Sequence, residues 1–205
     1  MKTNLKKVFI ETQNHWQNTK EYSGSGYENF KNDRRKKLAE QIVQLKPKSV
    51  LEIGCFGRYN LRQIHELDST IELTGFDINS NALEYAKNKL PKLNLIHGSI
   101  YELDKYFHEN QFDIIFTAGV LIHIPCFSDK IDTDNILNIA NNLKKIAKQF
   151  IFHAEHHGDT YYKLPNKTMR YVHNFNDMYS TCAEVQINQA LNASHGFEQL
   201  IKVTL

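Results

Sequence analysis

Five short apolar runs constrain this chain most, because a stretch of different periodicity separates each from the next. The runs are "SVLEI" (49–53), "IELTGFDI" (71–78), "LNLIHGSI" (93–100), "FDIIFTAGVLI" (112–122) and "QFIFHAEHH" (149–157). "RYNLRQIHEL" (58–67) follows the first, with Leu61, Ile64 and Leu67 recurring at helical spacing. "NSNALEYAKNKL" (79–90) reads as a helix with an Asn or Ser cap and Pro91 as its stop, and "DTDNILNIANNLKKIA" (132–147) as a helix capped by Asp or Thr. Strands that alternate with helices predict a mostly parallel sheet wound on both faces, a Rossmann-like α/β fold.

The flanks differ from this core. "ENFKNDRRKKLAEQIVQLK" (28–46) places Phe30, Leu38, Ile42 and Leu45 near one helical face, and Pro47 stops it. After residue 158 the chain turns polar, aromatic and irregular, and 184–205 reads as a long antiparallel hairpin, with a helix at 184–192 as the alternative. The 205 residues fit one domain. Its parts are an N-terminal helical or lid segment (1–47), a ligand-binding core (48–157) and an acceptor-binding segment with the hairpin (158–205).

A net charge of +2 gives no argument for nucleic acid, and no basic stripe with interleaved aromatics runs along the chain. No stretch reaches transmembrane length, and the N-terminus has only a three-residue apolar run. Cys55, Cys126 and Cys182 are far apart and odd in number, with neither metal nor disulfide spacing, which fits a reducing cytoplasm. The sequence does not set an oligomeric state.

In an open parallel sheet, ligands bind beyond the carboxyl ends of the strands. Here those ends are Glu52-Ile53-Gly54-Cys55, Phe76-Asp77-Ile78-Asn79, His97-Gly98-Ser99-Ile100 and Thr117-Ala118-Gly119. Asp77 lies about 23 positions past Gly54, where an acid accepts the hydroxyls of a ribose. A pyrophosphate loop needs several glycines for the backbone to approach the phosphates. This one offers Gly54 and Gly57, with Phe56 between them and Arg58 after. That argues for a nucleoside ligand without phosphates. S-adenosyl-L-methionine fits, and an acid such as Glu52 suits its ammonium.

With "EIGC", "GFDIN", "IHGSIYEL" and "FDIIFTAGVLIHI" in order, the sequence resembles the class I S-adenosylmethionine-dependent methyltransferases. Within them, "EIGC" followed by Asn60-Leu61, then "HGSI", "GVLIHI" and "AEHH", look most like the methylases of pseudaminic acid and other surface-sugar biosynthesis. That family carries a glycine where Arg58 stands. The resemblance covers roughly residues 48–180. It implies methyl transfer to an oxygen of a small sugar-type or phosphorylated acceptor, with S-adenosyl-L-homocysteine as product. It also implies cofactor contacts from Glu52, Gly54, Cys55, Asp77 and Ala118, with adenine between Ile78 and Ile100 beside Ser99.

Each of these residues has a plainer reading. Gly54 suits any strand-to-helix turn, Asp77 a helix cap, and Ser99 a strand end. His123 is either the base that takes the acceptor proton or a structural histidine. Glu155 and His156 end the fifth strand and are expected to touch substrate. No metal site is expected from the His153, His156 and His157 cluster, since alternate strand residues face opposite ways. Trp16, Tyr22 and Tyr27, around Gly24 and Gly26, form either a lid over the cofactor or an arm packed on the sheet edge. Arg34 in "DRRKKL" either binds the methionine carboxylate or lies on a solvated face. Lys163, Lys167 and Arg170, interleaved with Tyr161, Tyr162 and Tyr171, suit an anionic acceptor or a polar surface loop. Two other functions remain open: a non-catalytic S-adenosylmethionine-binding regulatory subunit, and a nicotinamide-dependent oxidoreductase.

Overall fold

The computed structural model describes residues 2–20, 33–126, 130–164, 170–188 and 198–205. In chain order, α1 (Lys2–Asn18) and α2 (Asp33–Gln44) precede β1 (Ser49–Ile53), α3 (Tyr59–Leu67), β2 (Glu72–Asp77), α4 (Ser80–Lys89) and β3 (Asn94–His97). A 3-10 turn at Ile100–Lys105 leads to β4 (Phe112–Ala118), and a second at Leu121–His123 follows it. Then come α5 (Lys130–Ile146), β5 (Ala147–His156), β6 (Tyr162–Lys163), β7 (Tyr171–Val172), α6 (Phe175–Met178), β8 (Glu184–Asn188) and β9 (Glu198–Thr204).

The main sheet runs β3-β2-β1-β4-β5-β9-β8. Its first five strands are parallel, and β9 and β8 add antiparallel, so the C-terminal hairpin is present and the alternative helix at 184–192 gives way to strand at Glu184–Asn188. Strand order reverses between β1 and β4, which opens a crevice at their carboxyl ends.

Because strand residues alternate faces, the sheet builds two cores. Leu51, Ile53, Ile115, Ile151 and Ile201 pack with Ile136, Ile139 and Leu143 of α5 and with Phe175 and Met178 of α6. Val50, Ile114, Phe116, Phe152 and Leu200 pack with Leu38, Ala39 and Ile42 of α2 and with Leu61 and Ile64 of α3. Burying such side chains is worth about 1.5–3 kcal/mol each, so the hydrophobic pattern dominates the fold.

Some boundaries differ from the sequence reading. β3 stops at His97 because Ser99 turns the chain, its hydroxyl accepting the Tyr101 N–H at 3.4 Å. α5 begins at Lys130, ahead of the expected Asp or Thr cap. α4 is capped by Asn79, whose side-chain oxygen accepts the Ala82 N–H at 2.9 Å. The described residues after 158 hold more regular structure than their composition suggested. β6 and β7 pair, and Tyr171, Phe175, Met178 and Tyr179 are buried. Among the described residues, no helix is long and apolar enough to cross a membrane.

Candidate active site

The turn after β1 is tight. Gly54 has φ +74, and a Cβ there would lie 2.2 Å from Val120 Cγ2, so no side chain fits unless Val120 moves. Phe56 (φ 43) and Arg58 (φ 73) also take the left-handed backbone that favours glycine. Two non-glycine residues thus hold the conformation that the extra glycines of such loops usually supply. Arg58 is buried beside the Tyr59 and Tyr85 rings, 5.8 and 6.0 Å from its guanidinium carbon, while its Nε and Nη1 have no hydrogen-bond partner among the described residues.

Asp77, at the end of β2, fastens this loop. Its Oδ2 accepts the Phe56 N–H and its Oδ1 the Asn79 N–H, each at 2.8 Å. Burial pushes the carboxyl above its ordinary pKa, against those N–H donors. Asp77 still lines a cavity at the strand ends, with Gly54 and Phe56 on one side and Ile78, Ser99 and Ile100 on another. Ala118, Gly119 and Val120 from the end of β4 form the next wall, and His123 and Ile124 follow. Of the residues expected around the cofactor, Gly54, Asp77, Ile78, Ser99, Ile100 and Ala118 thus meet in one cavity, and His123 joins them.

Helix α1 closes the cavity with Thr12, Gln13 and Trp16. Gln13 Nε2 donates to Ser99 Oγ at 3.2 Å, and Asn79 Nδ2 donates to the Trp16 and Thr19 carbonyls at 2.9 Å. The Trp16 ring centroid lies 4.5 Å from that of His123 and 6.4 Å from that of Phe56. Trp16 thus lines the cavity from α1. Tyr22, Tyr27, Lys167 and the Arg34 side chain lie outside the described residues.

Four expected contacts do not line the cavity. Cys55 is buried against Gly75 of β2, where an added Cβ would lie 2.6 Å from its Sγ. Glu52 is fully buried on the α2–α3 face, where Asn60 Nδ2 donates to its Oε1 at 2.5 Å and its Oε2 has no hydrogen-bond partner. Burial pushes its pKa up to about 8. Glu155 faces the other core, where its carboxylate collects donors from β4 and the loop beyond. Its Oε1 accepts the Thr117 hydroxyl at 2.9 Å and the Val120 and Leu121 N–H at 2.8 and 3.1 Å, and its Oε2 accepts the Ile122 N–H at 3.2 Å. His156 is buried on the face opposite His153 and Glu155. Tyr171 is likewise core, and the Tyr161 hydroxyl is engaged by Asp177 Oδ2 at 2.8 Å.

Sequence reasoning missed Thr12, Gln13 and Tyr101. Nothing local marks Thr12 and Gln13, which reach the cavity only once α1 folds over the strand ends, and Tyr101 reaches it from the 3-10 turn that follows Ser99. Val120 and Ile124 were legible as an apolar loop but not as cavity wall.

Residues 45–200 match the methyltransferase-domain family. The chain belongs to that family. Its fold is the class I S-adenosylmethionine-dependent methyltransferase fold, and its cofactor is S-adenosylmethionine. The family sets aside the nicotinamide reading. The chain is 30% identical over 95 residues to a demethylmenaquinone methyltransferase from Staphylococcus aureus (strain MRSA252), a match covering 44% of this chain and 39% of that protein. A putative O-methyltransferase from Nostoc punctiforme PCC 73102 has a similar structure, with TM-score 0.62 and 16% identity over 83% of this chain and 55% of that one. So does the Burkholderia thailandensis 1,6-didemethyltoxoflavin-N1-methyltransferase, determined with S-adenosylhomocysteine, with TM-score 0.61 and 15% identity over 88% and 84%. The chain thus spans only two fifths of the curated relative and about half of the first of these structures.

Proposed function

We propose that this chain transfers the methyl group of S-adenosylmethionine to an oxygen of a small acceptor, sugar-type or phosphorylated, in the building of bacterial surface polysaccharide. The observation that carries the reading is that His123 shares one cavity with Gly54, Asp77 and Ser99. The sugar-type acceptor rests on the motif resemblance, "EIGC" through "AEHH".

The cavity's chemistry suits the cofactor. Asp77 is an acceptor for ribose hydroxyls, and Phe76, Ile78 and Ile100 offer apolar walls for a base, with Ser99 beside them. Bound there, S-adenosylmethionine supplies a methyl already activated by its sulfonium, so the protein's task is alignment and proton removal. His123 takes the acceptor proton. Trp16 and α1 exclude water, the segment 1–47 acting as lid, 48–157 as cofactor core and 158–205 as acceptor side.

The experiment is methyl transfer from labelled S-adenosylmethionine to a panel of sugars, sugar phosphates and nucleotide sugars. Acceptor-dependent S-adenosylhomocysteine with label on oxygen is expected. Label on nitrogen or carbon refutes the oxygen assignment. Cofactor binding without turnover across the panel refutes the sugar-type acceptor.

A further inference from the structure

We propose that Glu155 and His173 are positioning residues that jointly hold the loop of residues 118–123 in the shape that forms the cofactor cavity. This rests on the cofactor reading above for its link to function, but not for its geometry.

The loop has little regular structure of its own. It leaves β4 through Gly119 (φ +69) and passes through a single 3-10 turn at Leu121–His123. Three consecutive N–H groups, those of Val120, Leu121 and Ile122, converge on the Glu155 carboxylate. The Leu121 carbonyl is held from the other side by His173 Nε2 at 2.7 Å. A carbonyl can only accept, so His173 carries its proton on Nε2. Burial lowers the His173 pKa to about 4, which keeps the ring neutral. Leu121 is therefore gripped at both backbone groups by buried side chains, while its neighbours Val120 and His123 face the cavity.

A second chain of bonds fixes the carboxylate. Thr117 donates its hydroxyl hydrogen to Glu155, so its oxygen accepts from His153 Nδ1 at 2.8 Å. His153 Nε2, left as an acceptor, takes the Tyr179 hydroxyl at 2.8 Å. Burial lowers His153 to about 3 and raises Tyr179, so both stay neutral. The titratable groups joined to Glu155 by these bonds are thus His153 from its own strand and Tyr179 after α6, with His173 on the far side of Leu121 and Gln199 its register partner on β9.

Burial raises the Glu155 pKa to about 7, opposed by its backbone and Thr117 donors. Above that pH the ionised carboxylate accepts all four. On protonation the proton fits best on Oε2, which holds a single donor, and the hydroxyl then opposes the Ile122 N–H. The turn that carries His123 loosens.

Hydrogen exchange of the free protein, corrected for intrinsic rates, tests the clamp directly. Protection of residues 120–123 should fall at least tenfold between pH 8.5 and pH 6 while the β4 amides hold. Glu155→Gln should show the low protection at both pH values. S-adenosylhomocysteine affinity, which needs no base, should follow: about tenfold weaker for wild type at pH 6, and weak and pH-flat for Glu155→Gln. If Glu155→Gln does not fold, Thr117→Val, which removes one donor, should shift the exchange transition to higher pH. Loop protection in a folded Glu155→Gln equal to that of the wild type at pH 8.5 overturns the proposal. If the wild type binds no S-adenosylhomocysteine at any pH, the functional reading fails, while the exchange data still decide the clamp.

Discussion

Val120 lies directly over Gly54: a Cβ on the glycine would come within 2.2 Å of Val120 Cγ2 and 3.3 Å of its Cβ. The turn after β1 and the loop after β4 are thus one packed unit across the switch in strand order. Gly54→Ala should cost about 1–2 kcal/mol for the left-handed backbone alone, with the Val120 overlap on top. The double variant Gly54→Ala/Val120→Ala should recover only the second part. Urea unfolding of these two variants and of Val120→Ala separates them.

Arg58 holds its left-handed backbone at a cost but stacks by Tyr59 and Tyr85. Arg58→Gly should therefore lie within about 1 kcal/mol of wild type, the relief of strain offsetting the lost ring contacts. Arg58→Ala loses the contacts and keeps the strain, so it should melt lower than Arg58→Gly. The reverse order in a thermal scan contradicts this account of the loop.

The fold was legible because it depends on periodicity. β1 matches its expected limits residue for residue, and the hairpin at the C-terminus pairs as read. The cavity was legible wherever it depends on strand ends: Gly54, Asp77, Ile78, Ser99 and Ala118 are placed by topology alone. What the sequence could not carry is which face a strand-end acid takes. Glu52 and Glu155 both sit beside the crevice in sequence, yet each points into a core. Register decides that, and register is set by pairings 20 or more residues away, such as Glu155 with Gln199. The contribution of α1 was partly hidden for the same reason, since Gln13 reaches Ser99 across 86 residues.

Glu52 gives the stability a pH dependence. Its pKa rises from 4.5 in the ordinary case to about 8 on folding. The stability tied to its proton is complete below pH 4.5 and is lost as pH rises through 8. Glu155, raised to about 7, adds to the same slope. Wild type should therefore be less stable at pH 9 than at pH 6, and Glu52→Gln should flatten part of that loss. Chemical denaturation at the two pH values reads it, and a stability that rises toward pH 9 contradicts the burial of Glu52.

His123 divides chemistry from binding. His123→Ala should leave S-adenosylhomocysteine affinity within about threefold and lower turnover by roughly 10²–10⁴-fold once an acceptor is known. A lower melting temperature with turnover falling only in step with folded protein makes His123 structural. A raised acceptor KM with a small change in kcat makes it a group that orients the acceptor.

The central claim is that the cavity at the ends of β1, β2 and β4 is the S-adenosylmethionine site, with Asp77 on the ribose. Calorimetric titration of S-adenosylhomocysteine into wild type and Asp77→Asn tests it most directly, since asparagine keeps the size and one acceptor of the side chain. The account predicts one saturable site in the wild type, weakened about tenfold or more in the variant, a loss of about 1.4 kcal/mol or more. No binding by the wild type, or equal affinity in a folded Asp77→Asn, would contradict it.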